Sequence, residues 1–505
     1  MPLVPITPPA GVVTNGTEYA NKNRWVDSNL IRFQNGYLTP IKGWEKLNSS
    51  ALTGAIIGLF TYNDNAGDSV IAVGTREKVY VIYKGTTTDI TPGSFTTDAS
   101  QDPLGFGAYH YGVEDYGDAR SQSGLFFDTK HFSFDNWGED LIFCFAGDGK
   151  VYRWRPDSSG GSPDTTSAVL SNAPTNNKSI IVTNERHLVT FGSGGDPRKI
   201  AWSNREDNNN WTAKATNTAG DLIVPSQGEI EGAVKYKSDI IVFTETGISR
   251  MYYSGNPFVY GIIQAGENCK TVSMRAVVSS GEFLAWLGEN SIFVYDGQLR
   301  EIPCPLHDYI YDNLKYNNRR VCVGGHNSNY NEIWWFFPDE NDSEYAPQNY
   351  VIWNYVDNVW SKGTGIRRSA WFDQGVLDYP IAGSGDGFLF QHESTSLSNS
   401  DGLGATVPFC KTAPIEIGNG DRVMQVNQII PDSEASTLPG VTISFTGRFT
   451  PNGSESDFGS FTFENDGYTD ARFNARTISM KVEGDTNQDF KLGQVRVNAR
   501  PRGRR

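Results

Sequence analysis

Apolar and polar positions alternate along most of this chain, and one local pattern keeps returning. It is a short apolar strand, a turn rich in Gly, Asp, Glu or Asn, and a second alternating strand. The pattern runs as SVIAVGTREKVYVIY from Ser69, DLIFCFAGDGKVYRW from Asp140 and, more loosely, HLVTFGSGGDPRKIAWS from His187. DIIVFTETGISRMYY from Asp239 and FLAWLGENSIFVYDG from Phe283 are its cleanest copies. A wider-loop version, NEIWWFFPDE with NYVIWNYVDNVWSKG, starts at Asn331, and YPIAGSGDGFLFQHE from Tyr379 closes the series. Successive starts lie about 40–70 residues apart, mostly near 50, the period of a propeller blade. A lone hairpin cannot bury its apolar face, whereas four-stranded blades stacked around an axis bury both faces and leave only short edges. The pattern predicts an all-β chain with a β-propeller of roughly six to eight blades over residues 51–395. The competing reading is an irregular pair of β-sandwiches.

Two insertions interrupt the period. Residues 95–128 are rich in Gly, Tyr and Asp, and residues 156–178 have the composition of a linker. One helix is expected at PLHDYIYDNLKY, where Leu306, Ile310 and Leu314 recur at four-residue spacing behind Pro305. A Ser-rich joint at 392–404 precedes VTISFTGRF (441–449), ARTISMKVEG (475–484) and LGQVRVNAR (492–500), each strictly alternating. These predict a separate small β domain over 396–505. Residues 1–50 read as a strand segment and a candidate to close the propeller ring.

Composition agrees with this picture. Charged residues make up 20% of the 505, against 53 Gly, 28 Phe, 23 Tyr and 12 Trp, which favours sheets with many tight turns over helical bundles. Charge is distributed unevenly. The chain carries net −15, yet its last fifteen residues, KLGQVRVNARPRGRR, hold six basic residues and no acid. Positions 1–490 therefore hold 37 basic against 58 acidic residues, net −21. Such asymmetry points to an interaction built into the molecule, and Arg496, Arg500, Arg502, Arg504 and Arg505 are the candidate assembly contacts, on a strand that ends as an arm. A solvated tail is the plainer alternative. An acidic body argues against nucleic-acid binding by charge, because phosphate binding needs clustered Lys and Arg. It remains compatible with DNA sliding past.

Five widely spaced cysteines with no C-x-x-C pair suit neither a disulfide framework nor a zinc site, and read as buried free thiols. The opening MPLVPITPPAG lacks the charged and apolar regions of a signal peptide, and no run reaches the length of a membrane span.

No catalytic, cofactor-binding or metal site is expected. H-E-x-x-H, G-x-S-x-G and a Walker loop are missing. The glycine runs GSGGD (192–196) and GSGDG (383–387) sit where hairpins turn, and the six histidines show no metal-ligand spacing. Asp148 faintly matches the Asp-box turn of sialidases but has the wrong spacing, so it reads as a turn residue. Asp339, Glu340, Asp342 and Glu344 lack the order of a calcium loop. Trp334, Trp335, Trp353 and Trp360 could stack sugars or bases; alternation sends Trp334 and Trp335 to opposite faces, which favours packing between blades.

Several segments together carry a resemblance. RWVDSNLIRFQNGYLTPIKGWEKL (24–47), KIAWSNREDNNNW (199–211), FTETGISRMYYSG (243–255) and FLAWLGENSIFVYDG (283–297) are similar, in order and wording, to the tail nozzle proteins of short-tailed bacteriophages, also called tail tubular protein B-like proteins. NYNEIWWFFPDE, VIWNYVDNVWSKG and the closing RPRGRR continue the match. The resemblance implies a structural virion protein, assembled in the host cytoplasm into a homohexameric ring at the distal end of the tail; no enzymatic activity is expected, because no nucleophile–base or acid–base pair stands in a recognisable context. Its implied partners are an adaptor ring above, fibre, spike or needle proteins below, and DNA in transient passage. A carboxylate-lined channel would repel phosphates and keep the genome from sticking. A receptor-binding or carbohydrate-cleaving propeller is the alternative function.

Overall fold

A computed structural model describes residues 3–98, 129–158, 161–339, 342, 346–394, 407–416, 422–433, 440–450, 453–462, 467–484 and 490–503. Seven four-stranded antiparallel sheets follow one another along the chain. Blade 1 spans Ile56–Asn63 to Thr86–Asp89, blade 2 Phe132–Trp137 to Ala168–Val169, and blade 3 Ser179–Val182 to Gly220–Ile223. Blade 4 spans Ile230–Tyr236 to Val259–Glu267, blade 5 Val277–Ser279 to Leu299–Ile302, and blade 6 Val323–Asn327 to Val359–Thr364. Blade 7 has three strands, Ala370–Phe372, Ile381–Gly383 and Leu389–Ser394, and takes its fourth, Gly43–Lys46, from the N-terminal segment. The first strands of successive blades touch, and that of blade 7 returns to that of blade 1, so the ring closes as a seven-bladed β-propeller.

The seven sequence hairpins contain the two middle strands of the seven blades, and that of blade 6 also takes in most of its outer strand, Val359–Thr364. The middle strands read as continuous or alternating apolar runs because they are covered on both faces. Separate clusters of buried side chains fill the gaps between blades 1 and 2, 2 and 3, 3 and 4, 4 and 5, 6 and 7, and 7 and 1. Trp44 on the closing strand is buried and stacks on His392 of blade 7 at 5.6 Å, which anchors the closure. Gly387 makes the same region possible. Its φ of +78° suits glycine, and a Cβ there would lie 2.1 Å from the Leu52 carbonyl oxygen.

The C-terminal strands form two six-stranded sheets. In one, the order is Ile31–Gln34, Tyr37–Pro40, Leu492–Pro501, Met424–Ser433 and Thr469–Ala475, with Leu3–Ile6 also on Leu492–Pro501. In the other it is Trp25–Asn29, Phe409–Thr412, Thr477–Glu483, Thr442–Arg448 and Ser456–Thr462, with Ile415–Glu416 also on Thr477–Glu483. Their inner faces share one core, including Val426, Phe445, Met480, Val495 and Val497, which is continuous with the apolar face of blades 5 and 6. Of residues 1–50, then, only Gly43–Lys46 closes the ring; the four earlier strands belong to the sandwich. Ile31–Gln34 and Tyr37–Pro40 pair with each other as a local hairpin, whereas the other pairings of these strands reach hundreds of residues along the chain, as in Ile6 with Val495.

The expected helix spans His307–Asn313, with Leu306, Ile310 and Leu314 turned into the core. The stretch 156–178, expected as a linker, supplies the outer strand of blade 2, Ala168–Val169. Most of the 95–128 insertion and the 395–404 part of the Ser-rich joint lie outside the described residues.

Candidate functional site

Sandwich and propeller meet at a buried charge cluster. Arg32, on the sandwich strand Ile31–Gln34, is 2% exposed. Its Nε and Nη2 donate to the two carboxylate oxygens of Glu332 in blade 6, at 2.9 and 3.0 Å. Its Nη1 and Nη2 donate to Glu393 in blade 7, at 3.0 and 2.6 Å. The planar guanidinium thus bridges two carboxylates by paired hydrogen bonds. Asn327 Nδ2 donates to Glu393 at 2.7 Å, Trp334 Nε1 donates to Glu332 at 3.1 Å, and the Tyr330 ring lies 3.5 Å from the guanidinium carbon. Glu393 adopts a left-handed backbone (φ +59°), an uncommon conformation for a residue with a side chain, at the point where its carboxylate reaches Arg32.

One arginine cannot neutralise two carboxylates. Burial pushes the Glu332 carboxyl up to about 7; Arg32 opposes the rise and Glu393 adds to it. Burial also disfavours the Arg32 charge, but the two carboxylates outweigh it and hold the guanidinium protonated. Further polar contacts extend the junction: Ser28 Oγ donates to the Lys362 carbonyl at 2.7 Å, the Leu30 amide to the Tyr350 hydroxyl at 3.0 Å, and Lys362 pairs with Asp27 at 2.7 Å. The cluster holds two domains in a fixed relation. Both carboxylate side chains are buried and spanned by Arg32.

The five candidate arginines divide. Arg496 and Arg500 lie on Leu492–Pro501, which runs inside the sheet and pairs on both sides. Alternation buries Val495, Val497 and Ala499 and sends Arg496 and Arg500 to the exposed outer face. Arg502 follows the strand end, exposed, with its amide donating to the Val423 carbonyl at 2.7 Å. Arg504 and Arg505 lie outside the described residues. The basic run is therefore a sheet strand as far as Pro501. The sequence reading missed Arg472, exposed on the same outer face between buried Ala471 and Phe473. Its signal was the alternation of TDARFNA, which places Asp470, Arg472 and Asn474 on one side.

The other candidate residues serve the fold. Trp334 and Trp335 are both fully buried, Trp334 stacked on Trp371 of blade 7 at 5.6 Å and Trp335 donating from Nε1 to the Ala276 carbonyl at 3.0 Å. Trp353 stacks on Trp360 at 5.8 Å. Asp148 sits in the blade 2 turn beside Gly149 (φ +70°), where its carboxylate accepts from Tyr152, Lys150 and the Thr96 amide. Gly192, Gly194, Gly195 and Gly387 all have positive φ, as turn glycines do. Asp342 accepts from the Asp339 amide at 3.2 Å, while Glu340 and Glu344 lie outside the described residues.

His187 Nδ1 lies 2.8 Å from the Ser203 carbonyl oxygen, Arg368 donates to His392 Nε2 at 2.7 Å, and His326 pairs with Asp373 at 2.8 Å. His307 Nε2 lies 2.9 Å from the Asn290 carbonyl oxygen, and His110 is outside the described residues. Among the described residues no cluster of three or more metal-ligating side chains occurs. All five cysteines are free, and burial pushes the thiols up, Cys269 to about 11 and Cys304 and Cys322 to about 12, away from nucleophilic thiolate character. Among the described residues no helix is long and apolar enough to cross a membrane.

No protein-family model matches the chain, and no curated protein matches it. Among solved structures it is similar to the WD40 domain of Neurospora crassa Pan2, at 9% identity and a TM-score of 0.39, over 70% of this chain and 97% of that one. A structure of YCF48 bound to D1 peptide matches at 8% identity and the same TM-score, over 70% of this chain and 97% of that one.

Proposed function

We propose that this chain is a structural virion protein of a short-tailed bacteriophage, forming the distal nozzle ring of the tail. The genome leaves through the ring, and fibre, spike or needle proteins dock beneath it. The segments that resemble the nozzle family fall on the framework: the first sandwich strands and the closing strand of the ring, then blades 3, 4, 5 and 6. They include Arg32 and Glu332, two members of the charge cluster that joins the domains.

The observation that carries the reading is the outer face of the sandwich sheet. Arg472, Arg496 and Arg500 are exposed there on the two strands that flank Met424–Ser433, in a protein of net −15. In a ring of identical chains each such face meets a neighbour whose surface is predominantly acidic, and guanidinium forks suit carboxylates. Six copies close the ring, an adaptor ring sits above, and the surplus of carboxylates keeps DNA moving through the lumen. Assembly takes place in the host cytoplasm, the finished protein resides in the virion tail, and it catalyses no reaction.

Replacing Arg472, Arg496 and Arg500 together with Ala tests the assembly face. These positions are exposed, so the triple variant is expected to melt close to wild type and to sediment as a monomer where the wild type sediments as a ring. Unchanged assembly with weakened, salt-dependent DNA retention would instead assign these arginines to DNA.

A further inference from the structure

Between blades 5 and 6 the rim of the propeller opens into a cavity of about 370 Å³. One wall comes from the outer strand of blade 5, Leu299–Ile302, and another from the turn 355–358 that joins the last two strands of blade 6. Three aromatic rings meet there. Phe283, Trp353 and Tyr355 have centroids 5.2 to 6.2 Å apart, and their planes cross at 61 to 78°. Planes crossed so steeply make a corner, and a body seated in it meets more than one ring. Trp353 is the buried floor, with one face covered by Trp360 at 5.8 Å, while Phe283 and Tyr355 are half-buried walls.

The polar tips around this corner are already engaged. Trp353 Nε1 donates to Asn358 Oδ1 at 3.1 Å, and the Tyr355 hydroxyl lies 3.2 Å from Asn331 Oδ1 and 3.3 Å from His326 Nε2. Arg300 pairs with Asp296, and Glu301 accepts from Ser291 Oγ at 2.5 Å. A sugar calls for several free, directed hydrogen-bonding groups, so the corner suits it poorly.

The charge that remains is negative. Among the described residues the cavity is lined by two carboxylates, Asp296 and Glu301, against one guanidinium, Arg300. Asp296 takes Arg300, which leaves Glu301 with the Ser291 hydroxyl as its partner. Exposed Glu282 and Asp357, next in sequence to Phe283 and Asn358, add charge of the same sign. Aromatic faces are negative too and attract a cation within about 6 Å of the ring centroid. A quaternary ammonium is the cation that needs no hydrogen-bond acceptor and presents methyl groups to apolar walls.

We infer that this cavity binds a small quaternary ammonium cation, with Phe283, Trp353 and Tyr355 against its methyl groups and the Glu301 carboxylate beside its charge. Binding here does not depend on ring assembly.

Ligand-detected NMR titration of the full chain with choline, and with 3,3-dimethylbutan-1-ol as its uncharged isostere, tests it. Choline is expected to bind about tenfold more tightly, within the range of cation–π contacts. Raising the salt to about 1 M should narrow that gap, because the carboxylates are exposed. Tyr355→Leu and Glu301→Gln are each expected to weaken choline several-fold, whereas Tyr355→Phe, which keeps the ring, should retain most of the binding. Co-sedimentation with phosphatidylcholine vesicles separates two sources of the same group: pelleting assigns the site to a headgroup on a lipid surface, and choline binding without pelleting assigns it to a free cation. Because the comparison of choline with the alcohol uses unaltered protein, it remains decisive even if Tyr355→Leu folds poorly. Equal binding of the two probes, no binding of choline, or choline binding unchanged in both Tyr355→Leu and Glu301→Gln would overturn the assignment.

Discussion

Arg32→Met is expected to lower stability by about 3–5 kcal/mol, the cost of leaving a buried charge without its partner. The side chain is buried between Glu332 and Glu393, and methionine fills much of its volume without donating a hydrogen bond. The loss should also depend on pH in a defined direction. In the unfolded chain Glu332 gives up its proton near 4.5, whereas in the folded protein it keeps it to about 7. The folded state therefore binds more protons across that window, and this group's contribution to stability falls as pH rises through it. Arg32 is what limits the rise, so removing it extends the window upward. Denaturant unfolding at pH 5 and pH 8 should show a larger shift in midpoint at pH 8. Equal shifts at both pH values, or a variant as stable as wild type at pH 8, would mean that the cluster does not hold the domains together.

Trp335→Ala should cost about as much, roughly 3–5 kcal/mol, by a different route. The indole is fully buried in the core that joins blades 5 and 6 to the sandwich, stacked on Trp360 at 6.2 Å. Truncation leaves a cavity and strips the Ala276 carbonyl of its donor. Trp335→Phe should recover part of the loss by refilling the space without restoring the hydrogen bond. Val356→Ala, at a residue 66% exposed, should change stability by no more than about 0.5 kcal/mol. If thermal melts place Trp335→Ala beside Val356→Ala, the packing described for blade 6 is wrong.

What the sequence disclosed, and what it concealed, follows from how local each feature is. The middle strands of every blade are apolar enough to be read directly, as in DLIFCF and DIIVFT. The outer strands are not: TTTD of blade 1 and AV of blade 2 carry no apolar period, because only one edge of them is paired and their faces meet solvent. The N-terminal strands were legible as strands, and the local pairing of Ile31–Gln34 with Tyr37–Pro40 across Gly36 was too, but their distant partners were not, because pairings such as Val4 with Val497 leave no trace in local periodicity. Arg32 looked like an ordinary polar position between Ile31 and Phe33, and only the arrival of Glu332 from three hundred residues away makes it a buried ion. Trp334 and Trp335 could be sent to opposite faces by alternation alone, but that both are core required knowing that blade 6 is covered on each side.

The most direct test of the nozzle reading is an image of the purified protein. Negative-stain electron microscopy at low salt, where carboxylate–guanidinium contacts are least screened, is expected to show closed rings of six copies around an open lumen. Dispersed single propellers under the same conditions, together with reproducible cleavage of a host polysaccharide by the same preparation, would contradict it.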